Sequence, residues 1–445
     1  MSIFQFFKPA PAAEEIQDAT LIQKKYRYWR IRIFLGMYIG YALYYLTRKS
    51  VQFAMPAMAA DLGLGKLELG LFGTILSLAY GTSKFLSGMI GDRSNPRYFM
   101  AIGLIFTGVI NLLFGLSSMF WALAVLWGLN GWFQGWGAPG CAKLLTYWYS
   151  QSERGRWWSL WSTSQNVGGS LIPYLAAYCA QSFGWRSAMC VPGCIAIISG
   201  FYVMYMLRDT PQSLGLPSIE RFRNDEAVKK TSEPSTLSNR EIFFTYVLKN
   251  RWIWLLGVSY FFVYVIRTAC SDWSLLYLVE VRGYPYLTAS FCVSAFEIGG
   301  FLGSLAAGWS SDLVFRGRRA PVNVLFMLSV ATALIAFRSA IATSPAVDFV
   351  FLFCFGFFVF GPQMLIGIAA AELSHKRAAG TAVGFVGCFA YLGAATAGAP
   401  LGAICDRWGW NSFFLALIAC ALIGSLLLLP LWSAKTSPAE ETPST

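Results

Sequence analysis

Long apolar stretches recur along this chain and limit its fold more than any other feature. A helix needs about 20 mostly apolar residues to cross the hydrocarbon core of a bilayer. Windows of this kind lie at roughly 31–58, 67–91, 98–118, 120–148, 156–182, 187–207, 251–281, 286–315, 321–341, 346–373, 378–404 and 410–433. Backbone groups in lipid must form hydrogen bonds within their own segment. The sequence therefore predicts an all-α integral membrane protein with 12 transmembrane helices.

The composition excludes the usual soluble classes. Of 445 residues, 56% are hydrophobic and only 13% are charged, whereas a soluble domain carries about 25% charged residues. Such a chain has too few polar groups to cover a globular surface, which argues against a soluble enzyme. Disordered and collagen-like chains are excluded for the same reason. A net charge of +12 would suit a protein that binds nucleic acid, so the positions of the basic residues decide its meaning.

The basic residues predict an orientation in the membrane. Of the 34 Lys and Arg, 24 fall at the termini, in the central loop and in the loops on the same side, and five fall in the opposite loops. Cytoplasmic loops carry such an excess, so both termini are expected in the cytoplasm and no nucleic-acid partner is expected. The N-terminus has no apolar core of the secretory-signal type. We expect a multi-pass protein of a bacterial inner (plasma) membrane, surrounded by lipid.

A single long polar stretch separates six spans from six. The predicted organisation is a cytoplasmic N-terminus at 1–30, a six-helix bundle at 31–207, a cytoplasmic linker at 208–250, a second six-helix bundle at 251–433 and a cytoplasmic tail at 434–445. The two bundles repeat one plan at an offset near 220. Gly88–Arg93 corresponds to Gly308–Asp312 with the basic cluster that follows it, and Phe183-Gly184-Trp185 corresponds to Trp408-Gly409-Trp410. Transporters built from such repeats bind substrate near mid-membrane between the halves.

Two arginines lie inside predicted spans at corresponding positions, Arg48 and Arg267. Each would cost on the order of 2.5–3.5 kcal/mol at a helix centre, even on the lenient insertion scale. Acidic partners could offset this cost, and the candidates are Asp272, Glu297 and Glu372. The other solution is a substrate anion, because a guanidinium offers phosphate oxygens a planar fork. A salt bridge that holds the halves together remains the structural alternative.

A tyrosine lies one helical turn from each of three basic residues in the spans. These sets are Tyr41 and Tyr45 with Arg48, Tyr80 with Lys84, and Tyr264 with Arg267. Residues three or four apart share a helix face, and phenolic hydroxyls can bind an anion or a sugar hydroxyl. Ordinary helix packing is the alternative for the tyrosines alone.

The sequence indicates no metal, cofactor or catalytic centre. Nearly all of the ten cysteines fall in spans, and His375 is the only histidine. No Cys/His cluster has metal-ligand spacing, and no Gly-x-x-x-x-Gly-Lys-Ser/Thr run for ATP is present. Asp272 and Glu297 could act as acid and base, but they lack an accompanying nucleophile. An enzyme is therefore not expected.

At these residues the sequence resembles the organophosphate:phosphate antiporter family of the major facilitator superfamily. The matching stretches are Tyr44–Lys49, Tyr80–Phe85, Gly91–Arg97, Gln165–Gly169 and Phe360–Gly367. Further stretches are similar to the hexose-phosphate branch, which holds both antiporters and a sensor-like member. They are Trp132–Gly137, Ser271–Trp273, Phe296–Gly300 and Ala370–His375.

The resemblance implies a function and a set of site residues. Arg48 and Arg267 would bind phosphate, and Lys84 would be an additional basic residue. The pathway would be lined by Tyr41, Tyr45, Tyr80, Tyr264 and Tyr391. The implied activity is exchange of a sugar phosphate, glucose-6-phosphate by preference, for inorganic phosphate by alternating access. The alternative is a membrane receptor for extracellular hexose phosphate with the same binding site and a sensor-kinase partner. A monomer is expected in either case.

The chain departs from the family at two places. Family antiporters often carry histidine where this chain has Gln165, and glutamine cannot change charge across physiological pH. We expect Gln165 to form a hydrogen bond with substrate or with its neighbours. Asp272 and Glu297 are expected to tune the arginines or to contact substrate hydroxyls. The second departure is in span eleven, where Cys388–Gly393 lacks a charged pair that some members carry.

Overall fold

Every regular element of the described chain is helical. The computed structural model describes residues 9–92, 94–223, 244–340, 344–374 and 379–432. Helices of the first half are α1 Ala19–Leu62, α2 Lys66–Asp92, α3 Pro96–Leu116, α4 Phe120–Gln134, α5 Gly137–Trp148, α6 Gln151–Ser162, α7 Ser164–Phe183, α8 Trp185–Met206 and α9 Ile219–Arg223. Helices of the second half are α10 Arg251–Glu280, α11 Tyr286–Trp309, α12 Arg319–Ser339, α13 Pro345–Glu372, α14 Ala379–Thr396 and α15 Ala399–Leu428.

The predicted fold class is confirmed, and several boundaries differ from the predicted ones. Within the described residues, seven helical segments are long and apolar enough to cross a membrane by length and composition. The fourth and fifth predicted spans are each divided into two shorter helices. At Gly135 and Thr163 the backbone tightens into i→i−3 hydrogen bonds, which interrupts the α-helix. The predicted tail at 434–445, residues 224–243 of the predicted linker and His375 lie outside the described residues.

The chain forms two compact units. Unit 1 comprises Met1–Ala57 and Ala79–Pro234, and unit 2 comprises Met58–Leu78 and Ser235–Thr445. Helix α2 therefore contributes its first part to unit 2 and the remainder to unit 1. The domain boundaries expected from the sequence stay a prediction.

Two glycines show the internal repeat in the backbone. Gly184, between α7 and α8, has φ 81° and ψ 165°, and Gly409, inside α15, has φ 75° and ψ 175°. This region of backbone space is essentially open to glycine alone. The two glycines end the fifth and eleventh predicted spans, so the Gly-Trp repeat in the sequence corresponds to one turn conformation used twice.

Glycines also bring helix pairs into close contact within each unit. In unit 1, a Cβ on Gly108 would lie 2.6 Å from the carbonyl oxygen of Gly193, across the contact between α3 and α8. In unit 2, a Cβ on Gly303 would lie 1.9 Å from the carbonyl oxygen of Phe357, across the contact between α11 and α13. Small residues allow such an approach, and membrane helices associate largely through this kind of packing.

Unit 2 holds the first turns of α2 by several contacts. The Asp406 carboxylate accepts hydrogen bonds from the backbone N–H groups of Lys66 and Leu67, at 3.2 and 2.7 Å. These N–H groups have no partner inside the helix. The Lys66 ammonium lies 2.8 Å from the Glu280 carboxylate. About two turns farther on, the Thr74 hydroxyl donates to the carbonyl oxygen of Ala395 at 2.6 Å.

An ion cluster closes the other end of unit 2. The Arg319 guanidinium lies 2.5 Å from the Asp312 carboxylate and 2.9 Å from that of Glu372. Asp312 belongs to the repeated Gly-x-x-x-Asp loop of the sequence. Glu372, which the sequence left open as a partner for a membrane arginine, is thus paired with Arg319 instead. The corresponding side chains of unit 1, Asp92 and Arg93, lie outside the described residues.

We predict that Gly184→Ala and Gly409→Ala each destabilise the protein by about 1–3 kcal/mol, because alanine would be strained at these φ and ψ values. No atom lies within 4 Å of a Cβ at either position, so the effect isolates backbone strain from steric clash. The measurement is thermal unfolding of the purified protein in detergent.

The matched controls are Gly155→Ala and Gly387→Ala, which place alanine in ordinary helix with equally open surroundings. They are expected to raise stability by about 0.5–1 kcal/mol. Equal effects of all four substitutions would contradict the strain at Gly184 and Gly409.

Candidate functional site

Arg48 of α1 lies between two tyrosine rings in unit 1. Its guanidinium carbon is 4.5 Å from the centre of the Tyr45 ring and 4.3 Å from the centre of the Tyr80 ring. Tyr45 is one turn earlier on α1, whereas Tyr80 belongs to α2. Ring faces stabilise a cation without neutralising it. The sequence placed Tyr45 beside Arg48 but paired Tyr80 with Lys84, and the structure brings the Tyr80 ring to Arg48 as well. The role of these residues in binding stays a prediction.

A buried amide fixes the other edge of this guanidinium. Arg48 Nε donates to Gln134 Oε1 at 3.1 Å, and Gln134 is fully buried. The Gln134 amide nitrogen donates in turn to Thr47 Oγ1 at 2.9 Å and to the Tyr44 carbonyl oxygen at 3.2 Å. Gln134 is the last residue of α4, so the interruption of the fourth span places a polar side chain beside Arg48.

Two asparagines extend this network away from Arg48. Asn130 donates to the Thr47 carbonyl oxygen at 3.0 Å, and Asn111 donates to the same oxygen at 3.3 Å. The Ser50 hydroxyl donates to Asn111 Oδ1 at 2.8 Å. All four side chains are buried. Satisfied polar networks in a low-dielectric interior hold one arrangement of their members, so the network fixes the part of α1 that carries Arg48.

Gln165 and Tyr41 join the same cluster. The Tyr45 hydroxyl donates to Gln165 Oε1 at 3.1 Å, which makes Tyr45 the link between Gln165 and Arg48. Tyr41 is buried and packs on Tyr45 and Trp161, with ring centres 5.9 and 4.8 Å apart. Gln165 follows the interruption at Thr163, just as Gln134 precedes the interruption at Gly135.

Lys84 lies one turn after Tyr80 on α2, and its side chain is exposed. Its neighbour Ser83 donates a hydrogen bond to the Trp132 carbonyl oxygen at 2.5 Å. Helix α2 is thus anchored to α4 beside Lys84, and the ammonium group is on the accessible face of the helix.

Arg267 of α10 is bounded by aromatic rings in unit 2. Its guanidinium carbon lies 5.6 Å from the centre of the Tyr264 ring and 4.9 Å from the centre of the Phe360 ring. Tyr264 precedes Arg267 by one turn, and Phe360 comes from α13. The Tyr264 ring also lies 6.0 Å from the Tyr391 ring of α14. Residues of three helices, α10, α13 and α14, therefore meet around Arg267 and Tyr264. Tyr264 was expected beside Arg267, whereas Phe360 was not.

Asp272 and Glu297 are both buried in unit 2, with 9% and 4% of their surface exposed. Asp272 is five residues after Arg267 on α10. Glu297 lies on α11 next to Phe296, whose ring is 5.5 Å from that of Phe360. Both carboxyl groups are thus on helices that carry or contact the surroundings of Arg267, and their predicted roles stay predictions.

Several residues of these clusters were missed by sequence reasoning. They are Gln134, Asn130 and Asn111 in unit 1, and Phe360 and Tyr260 in unit 2. Tyr260 donates to the Gln363 carbonyl oxygen at 2.8 Å and packs on Tyr264. Polar amides inside apolar spans could have been found by the rule that predicted Arg48. Phe360 begins a stretch that resembles the family, but no property of the sequence marks it as a neighbour of Arg267.

Lys143 is another basic residue that falls within a predicted span, and its contacts indicate a structural role. Its ammonium group donates to the carbonyl oxygens of Ser94 and Gly91, at 2.6 and 3.3 Å. Gly91 lies in the last turn of α2, where carbonyl groups lack partners inside the helix and cations are favourable. Lys143 therefore stabilises the helix end and the loop that follows it.

Comparison with known proteins identifies the family. Residues 37–398 match the family described as Major Facilitator Superfamily. The chain belongs to the major facilitator superfamily. A bacterial homologue of the human lysosomal transporter Spinster, in its inward-facing and occupied conformation, has the same fold. The TM-score is 0.72 at 14% identity, over 92% of this chain and 99% of that one.

Curated relatives match nearly the whole chain. A probable hexose phosphate transport protein of Chlamydia trachomatis is 54% identical, with 97% of both chains covered. The membrane sensor protein UhpC of Escherichia coli is 50% identical, with 97% of this chain and 98% of that one covered. These relatives belong to the organophosphate:phosphate antiporter branch, as the motifs predicted. The protein is an integral membrane protein of a transporter family and is not an enzyme.

We predict that Gln134→Leu destabilises the protein by about 1–3 kcal/mol, because it removes three hydrogen bonds between buried polar groups. These are the bonds of the Gln134 amide with Arg48 Nε, the Thr47 hydroxyl and the Tyr44 carbonyl oxygen. The measurement is the unfolding midpoint of the purified protein in detergent.

Gln52→Leu is the matched control. Gln52 is also a buried amide of unit 1, and its Oε1 has no hydrogen-bond partner within the described chain. Its replacement is expected to be neutral or stabilising. A loss of stability from Gln52→Leu as large as that from Gln134→Leu would contradict a special contribution of the Gln134 hydrogen bonds.

Proposed function

We propose that the protein exchanges a sugar phosphate, with glucose-6-phosphate as the preferred ester, for inorganic phosphate by alternating access, and that Arg48 and Arg267 bind the phosphate group. The observation that carries the proposal is the recurrence of one arrangement in both units. Each has an arginine inside a membrane helix, with a tyrosine one turn earlier and aromatic rings at 4.3–5.6 Å.

The chemistry of this arrangement suits a phosphate ester. An aromatic face leaves the planar N–H edge of a guanidinium able to donate, and that edge matches two oxygens of one phosphate. Amide and phenol groups next to Arg48, from Gln165 and Tyr45, can bond sugar hydroxyls. In unit 2 the carboxyl groups of Asp272 and Glu297 are the acceptors proposed for other hydroxyls.

The charge of the two arginines offers a reason why exchange would be coupled. A bound phosphate dianion or phosphate ester places an opposite charge beside each guanidinium group and lowers the free energy of the loaded states relative to the empty ones. A ligand shifts a conformational equilibrium only by such differential interaction. Reorientation would then be favourable with either anion bound and unfavourable without one.

A receptor is the second candidate function. The 50% identity to a membrane sensor protein, close to the 54% identity to a probable transport protein, favours keeping it. Both functions would use the same binding residues. They differ in the response, because a sensor binds hexose phosphate and passes the conformational change to a partner protein, such as a sensor kinase.

We predict that Arg48→Lys and Arg267→Lys each reduce exchange at least 100-fold, because lysine keeps the charge but lacks the bidentate fork. The measurement is uptake of labelled glucose-6-phosphate by vesicles that contain purified protein and are loaded with inorganic phosphate. Arg186→Lys and Arg338→Lys are the controls. These arginines donate hydrogen bonds to Ser118 and Asn411 at exposed sites. The exchange rates of the two control variants should stay within about twofold of that of the original protein.

The same vesicles distinguish the two functions. Release of internal phosphate in step with glucose-6-phosphate uptake supports the antiporter. Saturable binding of glucose-6-phosphate without uptake would reject the antiporter in favour of the receptor. Full exchange by both lysine variants would contradict the role of the arginines.

We predict that Gln165→His makes exchange depend on pH between about 5 and 8. An imidazole would titrate there, beside Tyr45 and one residue removed from the Arg48 cation. Below a pH of about 6.5 the added positive charge should lower the KM for phosphate relative to the original protein, at the same pH. Comparison at each pH removes the titration of phosphate itself, and parallel profiles of the two proteins would contradict contact between residue 165 and the transported anion.

A further inference from the structure

A cleft in unit 1 has two arginines, Arg97 and Arg208, in its lining, and none of the residues proposed to bind substrate. Its volume is about 650 Å³, and Asn95, Arg97, Tyr98, Arg208, Asp209 and Ser213 are among its lining residues. Arg97 is at the start of α3, and Arg208 follows the end of α8. The cleft therefore lies where these two helices end, on the side of the predicted cytoplasmic loops.

Three arginines gather at this end of the unit, Arg32, Arg97 and Arg208. Among the side chains that the structure describes, no carboxylate lies within 4.0 Å of their guanidinium groups. Arg97 Nε donates to the Met204 carbonyl oxygen at 2.6 Å, and Arg208 Nη1 to that of Leu207 at 2.7 Å. Carbonyl groups position the guanidinium groups but do not neutralise them.

The arginines repel one another through their positive charge. Burial lowers the pKa of Arg208, and the nearby charges of Arg97 and Arg32 lower it further. Asp209 is the only acidic residue among those that line the cleft. Its carboxylate accepts a hydrogen bond from the backbone N–H of Ala10 at 2.8 Å, and burial raises its pKa. The cleft thus has a clear excess of positive charge.

An apolar surface leads from the cleft along the helices. Ile198, Phe201 and Tyr205 share one face of α8 and have 69%, 60% and 64% of their surface exposed. This spacing of three and four residues forms a continuous stripe. The stripe ends at Tyr205, three residues before Arg208. Tyrosines prefer the boundary between lipid and water, and both Tyr205 and Tyr98 are placed at this end.

We propose that the cleft binds the phosphate of an anionic phospholipid through Arg97 and Arg208, with an acyl chain along the α8 stripe. Charge excess and the adjoining stripe favour a lipid over a soluble phosphate ester, which would fill the cleft but leave the stripe uncovered. Basic pockets at helix ends are chemically suited to anionic headgroups. The site is independent of the exchange of sugar phosphate and of the residues proposed for it.

The test counts lipids on the purified protein by native mass spectrometry. Delipidated protein is titrated with palmitoyl-oleoyl phosphatidylglycerol and, separately, with the phosphatidylcholine of the same chains. We expect one phosphatidylglycerol to bind much more tightly than phosphatidylcholine. Arg97→Gln together with Arg208→Gln should weaken this binding about thirtyfold, from the contribution of two basic residues near a membrane surface.

The matched control is Lys24→Gln together with Arg27→Gln. These substitutions remove the same charge from exposed positions near the start of α1, and they should change the affinity less than threefold. Arg97→Lys with Arg208→Lys serves as a second variant, which keeps the charge and should show an intermediate affinity. It also keeps the test decisive if the glutamine variant is poorly folded.

Three results would overturn the proposal. One is equal binding of phosphatidylglycerol to the original protein and the cleft variants. Another is an equally large loss in the Lys24 and Arg27 control. The third concerns the source of the phosphate: glycerol-1-phosphate at about 10 mM should not displace the lipid, and displacement by it would assign the cleft to a soluble anion.

Discussion

A buried guanidinium group is stable only where polar or aromatic groups surround it, and this requirement determines the contacts at the centre of unit 1. Arg48 meets it with two ring faces and one buried amide. Gln134 can serve Arg48 only because Thr47 and Tyr44 hold the amide in place, and Thr47 is held in turn by Asn130 and Asn111. The hydrogen-bond network that holds Arg48 thereby includes polar residues of three helices, α1, α3 and α4. The interruption after Gln134 is part of the same arrangement.

The arginines at the ends of the two units have different kinds of neighbours. In unit 2, Arg319 is neutralised by Asp312 and Glu372, and such a cluster stabilises the helix ends that it joins. In unit 1, Arg97 and Arg208 have carbonyl oxygens for neighbours and no carboxylate within the described residues. A partly buried guanidinium that stays uncompensated is unfavourable. An external anion is the simplest group to complete this end of unit 1, and the proposed lipid phosphate would supply it.

The sequence predicted the fold class, the repeat and the arginines, because each depends on a property visible in single residues. Hydropathy gives the spans, and Gly184 and Gly409 reveal the repeat since only glycine takes their conformation. The interruptions at Gly135 and Thr163 were not predicted, since each lies inside a window whose length suits one continuous span. Contacts of Arg267 with Phe360 were also beyond reach, because they depend on how α10 packs against α13. The sequence identifies a residue whose burial is energetically unfavourable, whereas helix packing determines which neighbours stabilise it.

The first turns of helix α2 are attached to unit 2 by several weak interactions. Unit 2 holds its first turns by an exposed ion pair between Lys66 and Glu280 and by hydrogen bonds from Asp406. An exposed pair of this kind contributes about 0–1 kcal/mol, and a helix cap about 1 kcal/mol. Further along, the tight approach of Gly70 to Gly398 adds packing but no strong bond. Each of these contributions is small, so the first turns of α2 are attached to unit 2 by a sum of weak contacts and not by one strong interaction.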